Sequence, residues 1–302
     1  MASFLLAILV LVAAPPLMLG LITTTKAWLA GRRGPSPLQP YRELARLFRK
    51  KTVFSTTTTW LFRASPVLGV TTVFVAGLMI PLGFQSVAFS FAGDLVLFVY
   101  LLGTARFFTA AAALDTGSSF EGMGTVRDLT FACLAEPTVL VILIVLARMS
   151  STMTLSELLT FPSFTVWASN GASMILMSGS LLLVVLAESC RIPFDDPTTH
   201  LELTMVHEVM VLDHSGPGFG LIQYGAALKL FVLSSIWVFV VLPVRTETPL
   251  AGWMVYAAAM VAMSFLIGLI ESSMARLALR KLPTLLVTGL ILASFALLLA
   301  MR

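Results

Sequence analysis

The chain has 302 residues, of which 58% are hydrophobic and only 11% charged, and its formal net charge is +4. An ordinary soluble domain carries about 25% charged residues, so this composition excludes a soluble enzyme and places the chain in a membrane. The two cysteines, Cys133 and Cys190, lie far apart with no C-x-x-C spacing. The chain alone therefore offers neither an iron–sulfur cluster nor a structural zinc site, and both cysteines read as small apolar residues.

A hydrocarbon core of roughly 30 Å needs about 20 apolar residues per crossing helix. Runs of this kind predict eight spans: about Phe4 to Thr24, Ser65 to Val87, Leu95 to Leu114, Leu129 to Ala147, Ala172 to Glu188, Leu221 to Leu242, Trp253 to Ile270 and Leu282 to Ala300. The expected fold is an all-α integral membrane protein, a single polytopic domain over 1–302 with amphipathic helices between its spans. The first run lacks the basic start of a signal peptide and is too long for its apolar core, so it reads as a retained helix.

The first connection carries Lys26, Arg32, Arg33, Arg42, Arg46, Arg49, Lys50, Lys51 and Arg63, and the last carries Arg276, Arg280 and Lys281. Basic residues mark cytoplasmic loops, which puts the odd-numbered connections inside and both termini outside. These charges sit beside apolar spans and form no soluble basic patch, so the bilayer is the expected partner and nucleic acid is not.

Within the first connection, PLQPYRELARLFRKK places Tyr41, Leu44, Leu47 and Phe48 on one helical face and basic residues around the rest. Such a helix lies flat on a membrane surface, as an anchor on anionic lipid or a docking face for a peripheral subunit. The third connection, LDTGSSFEGMGTVRD, is rich in turn formers, including Gly117, Gly122, Gly124 and an Asp115 before Thr-Gly. It reads as a tight loop, either purely structural or set against a partner's cofactor or a translocation path.

An ionisable group in hydrocarbon costs roughly 3 kcal/mol unless it is paired, hydrated or functional. Arg106 lies mid-span, Glu136 early in the fourth span and Lys229 inside the sixth, while Glu188 and Glu271 close the fifth and seventh. Burial raises a carboxylate's pKa and lowers a lysine's, which suits such groups to relay protons; the alternative is a static ion pair that fixes helix packing. Pro137 directly after Glu136 loosens the local backbone bonding.

The densest polar stretch is RIPFDDPTTHLELTMVHEVMVLDHSG, from Arg191 to Gly216. His207-Glu208 is not followed by a histidine at the spacing a zinc hydrolase uses. His200, His207 and His214 recur every seven residues, on one face of a continuous helix but about 10 Å apart along it, too far to share a metal. They read instead as a row that hydrogen-bonds a partner or passes protons. Glu202 and Asp213 fall on another face, so an amphipathic helix is expected here, capped near Asp195 and Asp196 and ending at Ser215-Gly216-Pro217-Gly218.

RRGPSPLQPYRELARLFRKK, GMGTVRDLTFACLAEP and the stretch from Arg191 resemble the eight-helix membrane subunit shared by NADH:quinone oxidoreductase (complex I) and membrane-bound nickel–iron hydrogenases. The resemblance runs over essentially the whole chain and is closer to the membrane subunit of formate hydrogenlyase and hydrogenase-4. It implies that Arg127 and Glu136 open a proton path, and that Arg191, Pro193, Phe194 and Asp195 match an R-x-P-F-D signature. Glu202 and Leu203 match a later Glu-Leu pair, and Asp213, Ser215 and Gly216 a closing acid-x-Ser-Gly.

The implied protein is a non-redox membrane subunit of an oxidoreductase complex in a prokaryotic inner membrane. It would dock the peripheral electron-transfer arm and couple redox chemistry to proton translocation through Glu136, Glu188, Glu202, Asp195, Asp213, Lys229 and Arg106. Arg127, Asp115, Arg191, His200, His207, His214, Arg32 and Arg33 would face partners. Those partners are hydrogenase-like large and small subunits, an iron–sulfur protein and antiporter-like membrane subunits; the nickel–iron and iron–sulfur centres belong to them, and no metal or catalytic residue is assigned to this chain. Thr198 and His200 stand where quinone-reducing members carry glutamates, which counts against quinone. The alternatives are a quinone-site subunit of NADH:quinone oxidoreductase and a stand-alone ion transporter, the latter disfavoured because no inverted repeat is visible.

Overall fold

The computed structural model describes residues 2–85, 87, 89–195, 206–244 and 248–301. Among them, eight helices are long and apolar enough to cross a membrane: α1 (Ala2–Leu29), α3 (Trp60–Leu78), α4 (Asp94–Asp115), α5 (Ser119–Ser150), α7 (Phe164–Glu188), α8 (Gly216–Val241), α9 (Pro249–Ser273) and α10 (Leu282–Ala300). Two shorter helices, α2 (Gln39–Phe48) and α6 (Leu155–Thr160), lie between them, and no strand occurs among the described residues. The all-α, eight-span expectation holds.

The helix ends differ from those expected, for identifiable reasons. The second apolar run continues to Val87, but Pro81 has no N–H to extend a helix, so α3 stops at Leu78. Leu82–Phe84 then form a 3-10 turn closed on Trp253. The glycine-rich third connection is not a loop: only 116–118 separate α4 from α5, and Gly122 and Gly124 are helical. Ser215-Gly216-Pro217-Gly218 does not end a helix but begins α8, with Pro217 in the first turn, where its missing N–H removes no helical bond.

α8 is the hub of the bundle, packed against α1, α3, α7 and α9. α10 packs on α7 and α5, and α4 bridges α3 to α5. Lipid supplies no hydrophobic drive between helices, so close approach and buried hydrogen bonds join them. Ser180 Oγ donates to the Gly289 carbonyl at 2.7 Å and Ser173 Oγ to Ala296 at 2.9 Å, joining α7 to α10.

At the end of the bundle where the basic residues gather, α2 is fastened to α1. Pro15 and Pro16 cannot donate back along α1, so the Val12 carbonyl is left for Tyr224 of α8, whose hydroxyl donates to it at 3.0 Å. Tyr41 of α2 donates to the neighbouring Ala13 carbonyl. A Cβ on Gly20 would meet the Pro37 carbonyl oxygen at 1.8 Å, so only glycine lets the strap before α2 lie on α1.

Candidate functional site

Five charged side chains from four helices converge inside the bundle. Asp128 and Glu136 are eight residues apart on α5, about two turns, so they share a face. Arg106, from α4, reaches both: its guanidinium pairs with Glu136 and with Glu188, and its Nε lies 3.5 Å from Asp128 Oδ2. Glu188, the last residue of α7, also accepts Lys229 Nζ of α8 at 2.7 Å. Each charge that the sequence puts inside a span is thus paired. Glu136 differs from the others in exposure, with 42% of its side chain open on the outer wall of α5 against 6% for Glu188.

A second cluster ties the basic end together. Glu271, at the end of α9 with its side chain fully buried, pairs with Lys26 Nζ of α1 at 2.8 Å and Arg191 Nη1 at 3.2 Å. Asp195 pairs with Arg276 Nη2 at 2.9 Å and accepts the Val206 backbone N–H at 3.0 Å.

Two cavities lie between the clusters. One of about 80 Å³ is lined by Arg106, Asp128, Glu188, Cys190, His207 and Lys229. A larger one of about 330 Å³, between α1, α2 and α8, is lined by Lys26, Glu43, Arg191, Asp195, His207 and Glu208 among others. Ser189, Cys190 and His207 line both. Burial pushes the His207 imidazole below its ordinary pKa, opposed by Asp128, and raises the Cys190 thiol, helped by Asp128 and Asp195. Both are therefore held neutral at pH 7.

The histidine row does not form. Among the described residues, 206–215 contain no α-helix, only the 3-10 turn Glu208–Val211, so the face expected for Asp213 and the histidines does not exist. Gly124 allows this: a Cβ there would meet Val209 Cγ1 at 2.2 Å, and its absence lets the turn sit on α5. His207 enters the cavities while His214 stacks flat on Phe62, with centroids 3.8 Å apart and planes 4° apart. Burial lowers the His214 pKa to about 4. His200 and Glu202 lie outside the described residues.

The remaining sequence candidates scatter. Asp115 accepts from the Thr59 backbone N–H at 2.7 Å and its hydroxyl at 2.9 Å, holding the start of α3. Arg127 sits on α5 with Nη2 3.2 Å from Met123 sulfur. Arg32 and Arg33 are exposed between α1 and α2. Asp213 is exposed, and its backbone N–H donates to the fully buried Glu121 at 3.0 Å.

Sequence reasoning missed Asp128, Glu121 and Cys190. Asp128 was findable, since an acid two helical turns before Glu136 must share its face once the helix is known to start at Ser119. Cys190 was not. Its Sγ, a His207 nitrogen and an Asp128 oxygen all lie within 4.8 Å of one another, a grouping able to hold a metal ion, and it comes from three segments that only the fold brings together.

The NADH dehydrogenase family matches this sequence over residues 1–302. Formate hydrogenlyase subunit 4 of Escherichia coli (strain K12) is 31% identical over 281 residues, covering 91% of this chain and 90% of that protein. Hydrogenase-4 component C of the same strain is 32% identical over 234 residues, covering 78% of this chain and 73% of its own length. Among solved structures, a chain of the membrane-bound sulfane sulfur reductase, an archaeal respiratory membrane complex, superposes with a TM-score of 0.84 at 21% identity, covering 99% of this chain and 98% of its own. That last likeness is one of fold.

Proposed function

The chain belongs to the NADH dehydrogenase family, and from that premise we propose that it is the proton-coupling and docking membrane subunit of a complex I-like hydrogenase of the formate hydrogenlyase or hydrogenase-4 kind. One observation carries the proposal: a single guanidinium, Arg106, is shared by three carboxylates from two other helices, beside a cavity able to hold water.

A shared cation is a natural coupling element. The proton affinity of each carboxylate depends on how near the cation sits, so a small displacement of Arg106 favours a proton on whichever acid it leaves. Cys190 and His207 belong to the segment after α7, whose first residues follow Glu188 directly. A redox change in a docked arm that shifts this segment moves Glu188 against Arg106 and Lys229, and the charge imbalance passes to Glu136 on the outer wall of α5. There an antiporter-like membrane subunit receives it.

Docking falls to the basic end. The exposed Arg32 and Arg33, with Arg42 and Arg46 of α2 and Arg49 at its C-cap, offer cations to the peripheral hydrogenase-like and iron–sulfur subunits, which carry the redox centres. The Lys26–Glu271–Arg191 and Asp195–Arg276 pairs hold the platform beneath.

Glu136→Gln tests the coupling. In vesicles containing the assembled complex, electron transfer and assembly are expected to persist while proton translocation falls by at least about tenfold. Unchanged translocation removes Glu136 from the path. A second reading, a quinone site, draws support from the 330 Å³ cavity, which falls within the roughly 300–1,000 Å³ range of small-molecule sites. Labelling of Lys26 or Glu43 by a photoreactive quinone analogue would favour it.

A further inference from the structure

We propose that Asp128, Cys190 and His207 form a binding site for a borderline-soft divalent cation of the zinc type, set into the wall of the smaller cavity. The inference is independent of the coupling role, because it concerns what the chain binds and not what it transports.

Three observations converge. The ligand atoms, one carboxylate oxygen, one thiol sulfur and one imidazole nitrogen, all lie within 4.8 Å of one another. Ligands arranged tetrahedrally at 2.0–2.3 Å from zinc are typically about 3.3–3.8 Å apart, so small side-chain adjustments close the site. The three residues also border one cavity of about 80 Å³, with room for the water that completes a four-coordinate shell. Finally, Cys190 sits at φ 50°, a left-handed backbone that a side-chain-bearing residue seldom adopts. That conformation places the side chain on the cavity wall.

The donor set selects the ion. Sulfur and nitrogen exclude magnesium and calcium, which take oxygen ligands, and favour zinc-like cations. Electrostatics agree. Among the described residues, Arg106 and Lys229 face Asp128, Glu136 and Glu188, two cations against three carboxylates, so these five side chains sum to one negative charge. On binding, the Cys190 sulfur–hydrogen bond breaks, its proton leaves to water and a sulfur–metal bond forms. A divalent cation with one thiolate adds a single positive charge, which neutralises the cluster where an unbalanced charge is most costly. Because Asp128 serves both the site and Arg106, an occupied site restrains Arg106.

Cobalt tests the site directly. The full chain, purified in detergent and stripped with chelator, is titrated with Co²⁺ alone and then with competing Zn²⁺. One equivalent should produce a thiolate-to-cobalt charge-transfer band that zinc abolishes. Cys133→Ser should keep the band. Cys190→Ser should lose it, and His207→Gln should weaken zinc binding by more than the roughly 10–100-fold expected for an outer-shell partner. A wild-type chain with no such band overturns the proposal, as does a band that survives in Cys190→Ser or vanishes in Cys133→Ser. Where Cys190→Ser does not accumulate as folded protein, Asp128→Asn and the wild-type spectrum decide: unchanged affinity in the former, or no band in the latter, is equally fatal.

Discussion

The two charge clusters use the same residue types to opposite ends. Around Arg106, two cations face three carboxylates, one of which opens on the outer wall. Around Glu271, two cations clasp one fully buried carboxylate, and the Asp195–Arg276 pair lies beside it. The first arrangement has an acid to spare, so its cation has somewhere to go. Among the described residues the second offers its cations only one acid, and that acid is clamped from both sides. A surplus acid, more than burial, separates a candidate relay from a rivet.

Removing Arg106 should have the largest effect. Arg106→Gln leaves three carboxylates without their shared cation, and breaking a buried ion pair from one side costs about 3–5 kcal/mol. The thermal unfolding midpoint of the purified chain should fall steeply or the chain should fail to accumulate, whereas Arg106→Lys should retain part of the stability. Glu271→Gln strikes the other cluster. Lys26 and Arg191 are both partly exposed, so water recovers part of the loss and about 1–3 kcal/mol is expected. Protons translocated per electron should stay at the wild-type value in whatever complex assembles; a lowered ratio would erase the distinction between the clusters.

Smaller changes probe the segment between them. Gly124→Ala drives a methyl into Val209 and the Val206 carbonyl, and overpacking of this kind typically costs about 1–3 kcal/mol. Protease cleavage near 206–211 should accelerate accordingly. Acidification should have the mildest effect. His214 has a folded-state pKa of about 4 against an ordinary value near 6.5, so between those values the unfolded chain binds the extra proton and stability falls as pH drops. Allowing for solvent around this partly exposed ring, the loss should reach about 1–2 kcal/mol at pH 4. His214→Phe keeps the stack on Phe62, and its advantage over wild type should appear only below about pH 6.5.

The eight spans were legible because apolar length alone dictates them. Arg106, Glu136, Glu188 and Lys229 stood out for the same reason, as charges in the wrong solvent. Their pairing was not legible, since Arg106 meets Glu188 across 82 positions of sequence. Glycine and charge together disguised the start of α5, where Gly124 serves contact with 206–211 and not a turn. The seven-residue histidine spacing misled in a similar way: periodicity predicts a shared face only if the segment is one helix, and the 3-10 turn at Glu208–Val211 breaks that condition.

Glu136 also bears on how the complex is built. The α5 wall around it exposes Leu129, Cys133, Leu140 and Ile144, so an unaccompanied copy shows one acid on a surface otherwise suited to acyl chains. Its one charged partner among the described residues, Arg106, reaches it from the inner side of α5. A single carboxylate thus marks this stretch of α5 as chemically unlike the apolar wall on either side of it.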